Sequence, residues 1–311
     1  MMNNLSEIVM EYLEYCVSTK RLDNKTIRAY TTDLRQFCEE YGPLEVDQIS
    51  QGDMESYIVR LHDRYKPKSV KRKIASVKAL FRYMEYRGII EINPFARLNT
   101  SFREPKTLPR TIPLYVIERL LHIIYSQQQG GPTEFRRKNA IRDAALCELL
   151  FATGMRISEL CALKSSALDL HDGCISIYGK GAKERRIQIG NDEVLAAIQA
   201  YIISFEEEIA ESGYLFVNQS GHRFSDQAVR RMLSYYAGKI DSDCHITPHM
   251  FRHTFATSLL EADVDIRYIQ EMLGHSSIHT TVIYTHVALA KQREILANKH
   301  PRNSMMKYAE L

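Results

Sequence analysis

Residues 99–112, NTSFREPKTLPRTI, constrain the fold more than any other stretch of the chain. They are polar, carry Pro105 and Pro109, and show neither helical nor strand periodicity. A segment of this kind does not sit inside a packed core, so it reads as a linker. At 311 residues the chain is about twice a typical domain, which leaves room for a core on each side. The expected division is a domain over 1–98, a linker over 99–112 and a domain over 113–311.

The first part reads as all helical. Leu5, Ile8, Val9 and Leu13 form one 3.6-residue stripe, and Val70, Ile74, Val77, Leu80, Phe81 and Met84 form another. Asn24-Lys-Thr suits a helix start, Tyr41-Gly-Pro a stop, and Lys66-Pro67 the opening of the helix that Arg87-Gly88 ends. Four or five helices are expected. Net charge is only +3, but its distribution is uneven: Arg60 to Arg82 holds nine basic residues against one acid, Asp63. Such a run is either a solvated helix face or a surface for a polyanion. If it meets DNA, Lys68, Lys71, Arg72, Lys73, Lys78 and Arg82 are the candidate contacts.

The second part opens with helices, including Val116–Tyr125 and Ile141–Thr153, separated by the polar stretch 127–139, which reads as a surface loop. Cys174–Tyr178 and Arg185–Ile189 alternate as a hairpin around Gly179-Lys180-Gly181, and Tyr214–Val217 reads as a short strand. The fold class is therefore mainly α with a small β-hairpin or sheet in the C-terminal domain.

Several classes of function fall away. No run of about 18 apolar residues exists to span a membrane. The start, MMNNLSEIVMEYLEYC, is not an export signal, which makes the cytoplasm the expected compartment and reduced, buried thiols the expected state of the six scattered cysteines. No GxxxxGK[ST] loop is present for nucleoside triphosphates. His249 and His253 have the spacing of a zinc-protease helix, but Met250 stands where the base would be, so no metal and no other cofactor is expected.

Four short pieces remain. Thr153-Gly154-Met155-Arg156 leads into Ile157-Ser158-Glu159, with Glu159 on the face of Arg156. Lys180 sits between two glycines at the hairpin tip. Thr247-Pro248-His249-Met250-Phe251-Arg252 starts a helix on which His249 and Arg252 share a face. Leu273-Gly274-His275 is followed by Tyr284 in a TTVIYTH string. Two guanidiniums match the nonbridging oxygens of a phosphodiester transition state. A phenol is a usable nucleophile once a base removes its proton, and the leaving alkoxide needs an acid, a role that suits Lys180 on a hairpin tip. Tyrosine attack stores the bond energy in a phosphoester, so resealing needs no ATP.

This order of Arg, Lys, His-x-x-Arg, His and Tyr resembles the tyrosine recombinase (phage integrase) family, close in layout to its Xer-like and small-integrase members. Every slot is filled, by Arg156, Lys180, His249, Arg252, His275 and Tyr284, and TGMRISEL, GKGAKER, LGHSS and YTH are similar to family strings. The resemblance covers nearly the whole chain. It implies a two-domain DNA clamp, a helical SAM-like core-binding domain followed by a catalytic domain. Tyr284 would form a 3′-phosphotyrosyl link, Arg156 and Arg252 would hold the phosphate, and Lys180 would protonate the 5′-oxygen. His249 would exchange the tyrosine proton, His275 would hydrogen-bond a phosphate oxygen, and Glu159 would orient the cluster. The partner would be a double-stranded recombination site, synapsed by a homotetramer or a heteromeric assembly and exchanged through a Holliday junction. Residues 287–311 would dock into a neighbouring subunit or be a frayed terminus. Because the first helix starts near Leu5, the expectation leans toward a recombinase of short core sites, serving dimer resolution, a mobile element or inversion. Alternatives on the same fold are a catalytically silent DNA-binding protein and a topoisomerase-like nicking-closing enzyme.

Overall fold

The structure is a computed structural model that describes residues 4–42, 44–102, 109–178, 184–240 and 245–274. The chain forms two compact units, Met1–Lys106 and Thr107–Leu311. Among the described residues no helix is long and apolar enough to cross a membrane.

The first unit is built on four α-helices: α1 (Leu5–Ser18), α2 (Asn24–Tyr41), α3 (Gln51–Arg64) and α4 (Pro67–Tyr86). Their starts follow local chemistry. The Asn4 side chain accepts from the Ser6 N–H, and Asp23 from the Thr26 N–H, each satisfying an orphan donor of the first turn. Ser50 and Asp53 close a reciprocal capping box on α3, and Pro67 supplies the preset φ of the first helical position in α4. The apolar stripes meet around Tyr12, Leu34, Phe37, Met54, Leu80 and Phe81, all fully buried. Phe37 sits edge-on to Tyr57 and to Phe81, at 5.3 and 6.0 Å between centroids.

A buried ion pair lies inside this core. Asp33 of α2 is buried and takes the Lys73 Nζ at 3.0 Å and the Arg72 guanidinium, both from α4. Lys73 is only 3% exposed, also reaches Gln36, and lies 4.6 Å from the Tyr65 ring centroid. This corrects the expected phosphate contact at Lys73: a buried carboxylate needs a buried counter-charge, and Lys73 supplies it. Arg72 is half-committed to the same carboxylate. The outward stripe of α4 is Lys68, Lys71, Lys78 and Arg82, spaced three and four residues apart through Ala75.

The second unit wraps around α6 (Glu134–Thr153), which packs against α5 (Leu114–Gly130), α8 (Asp192–Ser204) and α11 (Pro248–Glu261). Central position explains its composition: Ala140, Ala144, Ala145, Leu146, Cys147, Leu149 and Leu150 are all fully buried, so apolar residues surround the helix rather than striping it. The stretch 127–139 is not a loop. Helix α5 runs through Gly130 and α6 starts at Glu134, capped by Thr133, which leaves three connecting residues. Its polar residues reach outside the stretch, Gln128 to the Ala140 carbonyl and Lys138 to Glu208, while Arg137 closes on the Gly131 carbonyl within it, and these fix a path that polarity alone does not reveal.

Helix α7 (Ile157–Ala162) follows α6, then an antiparallel sheet of β1 (Leu168–Asp169), β2 (Cys174–Tyr178) and β3 (Glu184–Gln188) in that order. In the β2–β3 pair Ile175 faces Ile187 and Ile177 faces Arg185. Tyr214–Val217 makes isolated bridges, to Lys164 and Arg223, rather than a strand. Helices α9 (Glu206–Ser212) and α10 (Asp226–Ala237) precede α11, and α12 (Ile266–Leu273) packs on α11 through Ile269 and Leu273. Cys16, Cys147, Cys161 and Cys174 are buried and Cys38 is half-buried, and none of these five is in a disulfide.

Candidate active site

Helix α6 ends at Gly154 in the left-handed region, φ +56°. A Cβ there would stand 2.5 Å from a Phe255 ring carbon, so both backbone and space demand glycine. The turn delivers Arg156 to the N-cap of α7, where the Glu159 carboxylate reaches back to the Arg156 backbone N–H at 2.9 Å. Glu159 Oε1 also accepts from Arg156 Nη1 at 2.8 Å, so the expected pairing along one helix face is present.

Helix α11 starts as its sequence dictates, with Thr247 at the N-cap accepting from the Met250 N–H and Pro248 in the first position. Phe251 enters the main core, while Phe255 and Leu259 join a second cluster with Ile269 and Leu273 of α12. That packing sets His249 at the surface and Arg252, 5% exposed, inside. The Arg252 guanidinium donates through Nη1 to the Gly154 carbonyl at 2.9 Å and through Nη2 to the Leu273 carbonyl at 2.8 Å. Arg156 Nη2 stands 3.5 Å from the Gly274 carbonyl. The two arginines, distant in sequence, therefore meet at the C-terminal end of α12. Unpaired carbonyls and the negative end of the helix dipole make that end a natural seat for cations.

A third arginine belongs to the cluster. Arg185 of β3 donates to Glu159 through Nη1 at 3.2 Å and Nη2 at 2.7 Å, and through Nε to the Met272 carbonyl at 2.9 Å. Sequence reasoning missed it. Its signal was the alternation Arg185, Ile187, Ile189, which puts a charge on the inward face of a half-buried strand. Glu159 thus accepts four hydrogen bonds, the full capacity of an ionised carboxylate. Burial pushes this carboxyl up. The Arg185 hydrogen bonds, the Arg156 backbone N–H, the Arg185 charge and the Arg156 side-chain hydrogen bond outweigh it and hold it below the usual range.

Next to Arg252 on α11, His253 is driven down to about 4 by burial, with the charges of His249 and Arg252 adding to the effect. Of the expected site residues, Arg156, Glu159 and Arg252 are brought together, and His249 lies one turn from His253 on the same helix. Lys180, His275 and Tyr284 lie outside the described residues.

Known proteins are similar to this chain over most of its length. Residues 113–291 match the phage integrase family, and residues 9–88 match the phage integrase N-terminal SAM-like domain. A tyrosine recombinase of Agathobacter rectalis is 58% identical over 301 residues, which cover 97% of this chain and 98% of that protein. The tyrosine recombinase XerC of Chlorobaculum tepidum is 32% identical, with 94% of each chain covered. A crystal structure of the XerH site-specific recombinase, bound to a palindromic difH substrate in a post-cleavage complex, shares the fold. Its TM-score is 0.75 at 22% identity, over 93% of this chain and 84% of that one. A chain matched across both its parts, and at 58% identity over nearly all its length, belongs to the phage integrase family of tyrosine-type site-specific recombinases.

Proposed function

We propose that this recombinase cuts and rejoins duplex DNA through a 3′-phosphotyrosyl ester on Tyr284. The observation that carries the reading is the convergence of Arg156 and Arg252 on the carbonyl end of α12. Two guanidinium forks at one helix end suit the two nonbridging oxygens of a scissile phosphate. Lys180 protonates the leaving 5′-oxygen, His249 exchanges the Tyr284 proton, His275 hydrogen-bonds a phosphate oxygen, and Glu159 orients Arg156. Energy conserved in the tyrosyl ester drives resealing, without ATP or a catalytic metal.

In this reading the unit before the linker is the core-binding domain and the unit after it is the catalytic one. Lys68, Lys71, Lys78 and Arg82 contact DNA phosphates from the outward stripe of α4. Strand exchange proceeds through a Holliday junction in a tetramer, with residues 287–311 docking into a neighbouring subunit, in the cytoplasm on nucleoid DNA.

The decisive experiment replaces the nucleophile. Tyr284→Phe keeps the ring and deletes the attacking oxygen. DNA binding should persist while the SDS-stable protein–DNA adduct on a nicked duplex disappears. A Phe variant that still forms the adduct would move the nucleophile to another tyrosine, Tyr268 first.

A further inference from the structure

Three consecutive carbonyls at the end of α12 each face a different arginine. Met272 accepts from Arg185 at 2.9 Å and Leu273 from Arg252 at 2.8 Å, while Gly274 faces Arg156 at 3.5 Å. Two of these arginines are accounted for by the proposed chemistry, and Arg185 is not. Its side chain is 10% exposed. It leaves β3, reaches both oxygens of Glu159 on α7, and ends on α12, so one guanidinium joins three elements that are separate in sequence. Gly274 makes room for it. At φ +62°, a Cβ there would press on the Arg185 side chain at 3.0–3.2 Å.

The hydrogen bonds state what the junction does. Glu159 meets the Arg156 side chain through Oε1 at Nη1, while Arg185 spans both oxygens, sharing Oε1 with that side chain and Oε2 with the Arg156 backbone N–H. Without Arg185 the carboxylate loses two of its four donors and keeps only Arg156, which lets it swing both oxygens toward that guanidinium, the bidentate geometry such pairs prefer. For Arg156 that would consume the fork a phosphate needs. We propose that Arg185 is a positioning residue for DNA cleavage: by holding Glu159 to a single-ended contact with Arg156, and by tying both to α12, it keeps the Arg156 guanidinium aimed at the scissile phosphate. This rests on the reading of Arg156 as a phosphate-holding residue.

The test uses the full chain and a nicked duplex carrying the site that this protein selects from a randomised DNA pool. Single-turnover formation of the SDS-stable adduct is measured for the parent, Arg185→Ala, Arg185→Lys, Arg156→Lys and the Arg156→Lys/Arg185→Lys pair. Arg185→Ala should slow the step by about 10²-fold, the scale of a misplacement near 1 Å, with DNA affinity unchanged. Arg185→Lys keeps the charge but not the fork and should recover only part of the rate. It also serves if the alanine variant does not fold. The double variant should be no slower than Arg156→Lys alone, because Arg185 acts through Arg156. Multiplying rate losses, or a loss of DNA affinity that matches the loss of rate, would overturn the proposal by making Arg185 an independent or merely structural group. Arg185 variants as fast as the parent, beside a slow Arg156→Lys, sink this proposal alone. An Arg156→Lys as fast as the parent sinks the reading beneath it.

Discussion

Arg252 donates to the carbonyl of Gly154 at 2.9 Å across 98 residues of sequence, and that bond ties the turn after α6 to the interior of α11. The same guanidinium takes the Leu273 carbonyl, so the ends of α6 and α12 share one cation. Each carbonyl is an orphan acceptor of a helix C-terminus, and each would be costly to bury unpaired. Two backbone carbonyls hold the arginine's two terminal nitrogens. Its direction therefore depends on where the turn at Gly154 puts its oxygen.

Gly154→Ala tests that dependence. Left-handed backbone costs a residue with a Cβ about 1–2 kcal/mol, and the 2.5 Å approach to Phe255 adds to it. Thermal melting should fall by several degrees. Adduct formation should slow more than DNA binding weakens, because the Gly154 oxygen moves while α4 does not. Equal losses in both would mean that the turn supports the fold and does not aim Arg252.

On the first unit, the outward stripe and the buried pair make opposite forecasts. Replacing Lys68 and Lys71 together with Gln should lower the salt slope of DNA binding by about 2, since roughly 0.9 counterions leave per phosphate neutralised. Melting should hardly change. Lys73→Gln should leave the slope alone and cost about 3 kcal/mol of stability, because it strips a buried partner from Asp33. Salt titrations and melts of both variants check the pair; a slope that follows Lys73 instead would return that residue to the DNA face.

The contrast at Lys73 shows what a single sequence carries and what it hides. Periodicity found α1 and α4 because apolar residues recur on the turn of a helix, and Thr247-Pro248 marked the start of α11 because capping chemistry is local. Arg156 and Glu159 were legible together for the same reason, being three residues apart. Lys73 looked like its neighbours Lys71 and Arg72. Only the fold brings Asp33, 40 positions earlier, beneath it. The helical path of 127–139 was hidden in the same way, since its supports are Glu208 and the Ala140 carbonyl rather than its own pattern. Arg185 required knowing which face of β3 is inward and what waits there.

Acid should weaken the second unit through His253. Its folded pKa lies near 4, below the usual value of about 6.5, so the fold prefers the neutral ring. A depressed pKa contributes stability that is present above pH 6.5 and is lost as pH falls toward 4. The loss over that window is on the order of 3 kcal/mol at 1.36 kcal/mol per unit. The Glu159 carboxyl is held below its usual range, so its contribution is lost as pH falls through and below the ordinary carboxylate range. Melting curves between pH 7 and 4.5 should therefore flatten in His253→Gln relative to the parent. Parallel curves would assign the acid sensitivity elsewhere.

The proton donor can be separated from the phosphate clamp by the leaving group. If Lys180 protonates the 5′-oxygen, Lys180→Ala should slow cleavage by about 10²–10⁴-fold, the usual range for general acid catalysis. A substrate with sulfur at the bridging 5′ position leaves without a proton. On it Lys180→Ala should cleave nearly as fast as the parent. Arg156→Ala should stay slow on both substrates, because the nonbridging oxygens that a guanidinium holds are unchanged by the sulfur. A lysine that only bound DNA would leave both substrates equally slow, since its loss would act before the bond breaks. Rescue seen with Lys183→Ala and not with Lys180→Ala would pass the role to the second lysine of GKGAK. The chemistry would stand in that case, because sulfur answers the need for an acid whichever lysine supplies it.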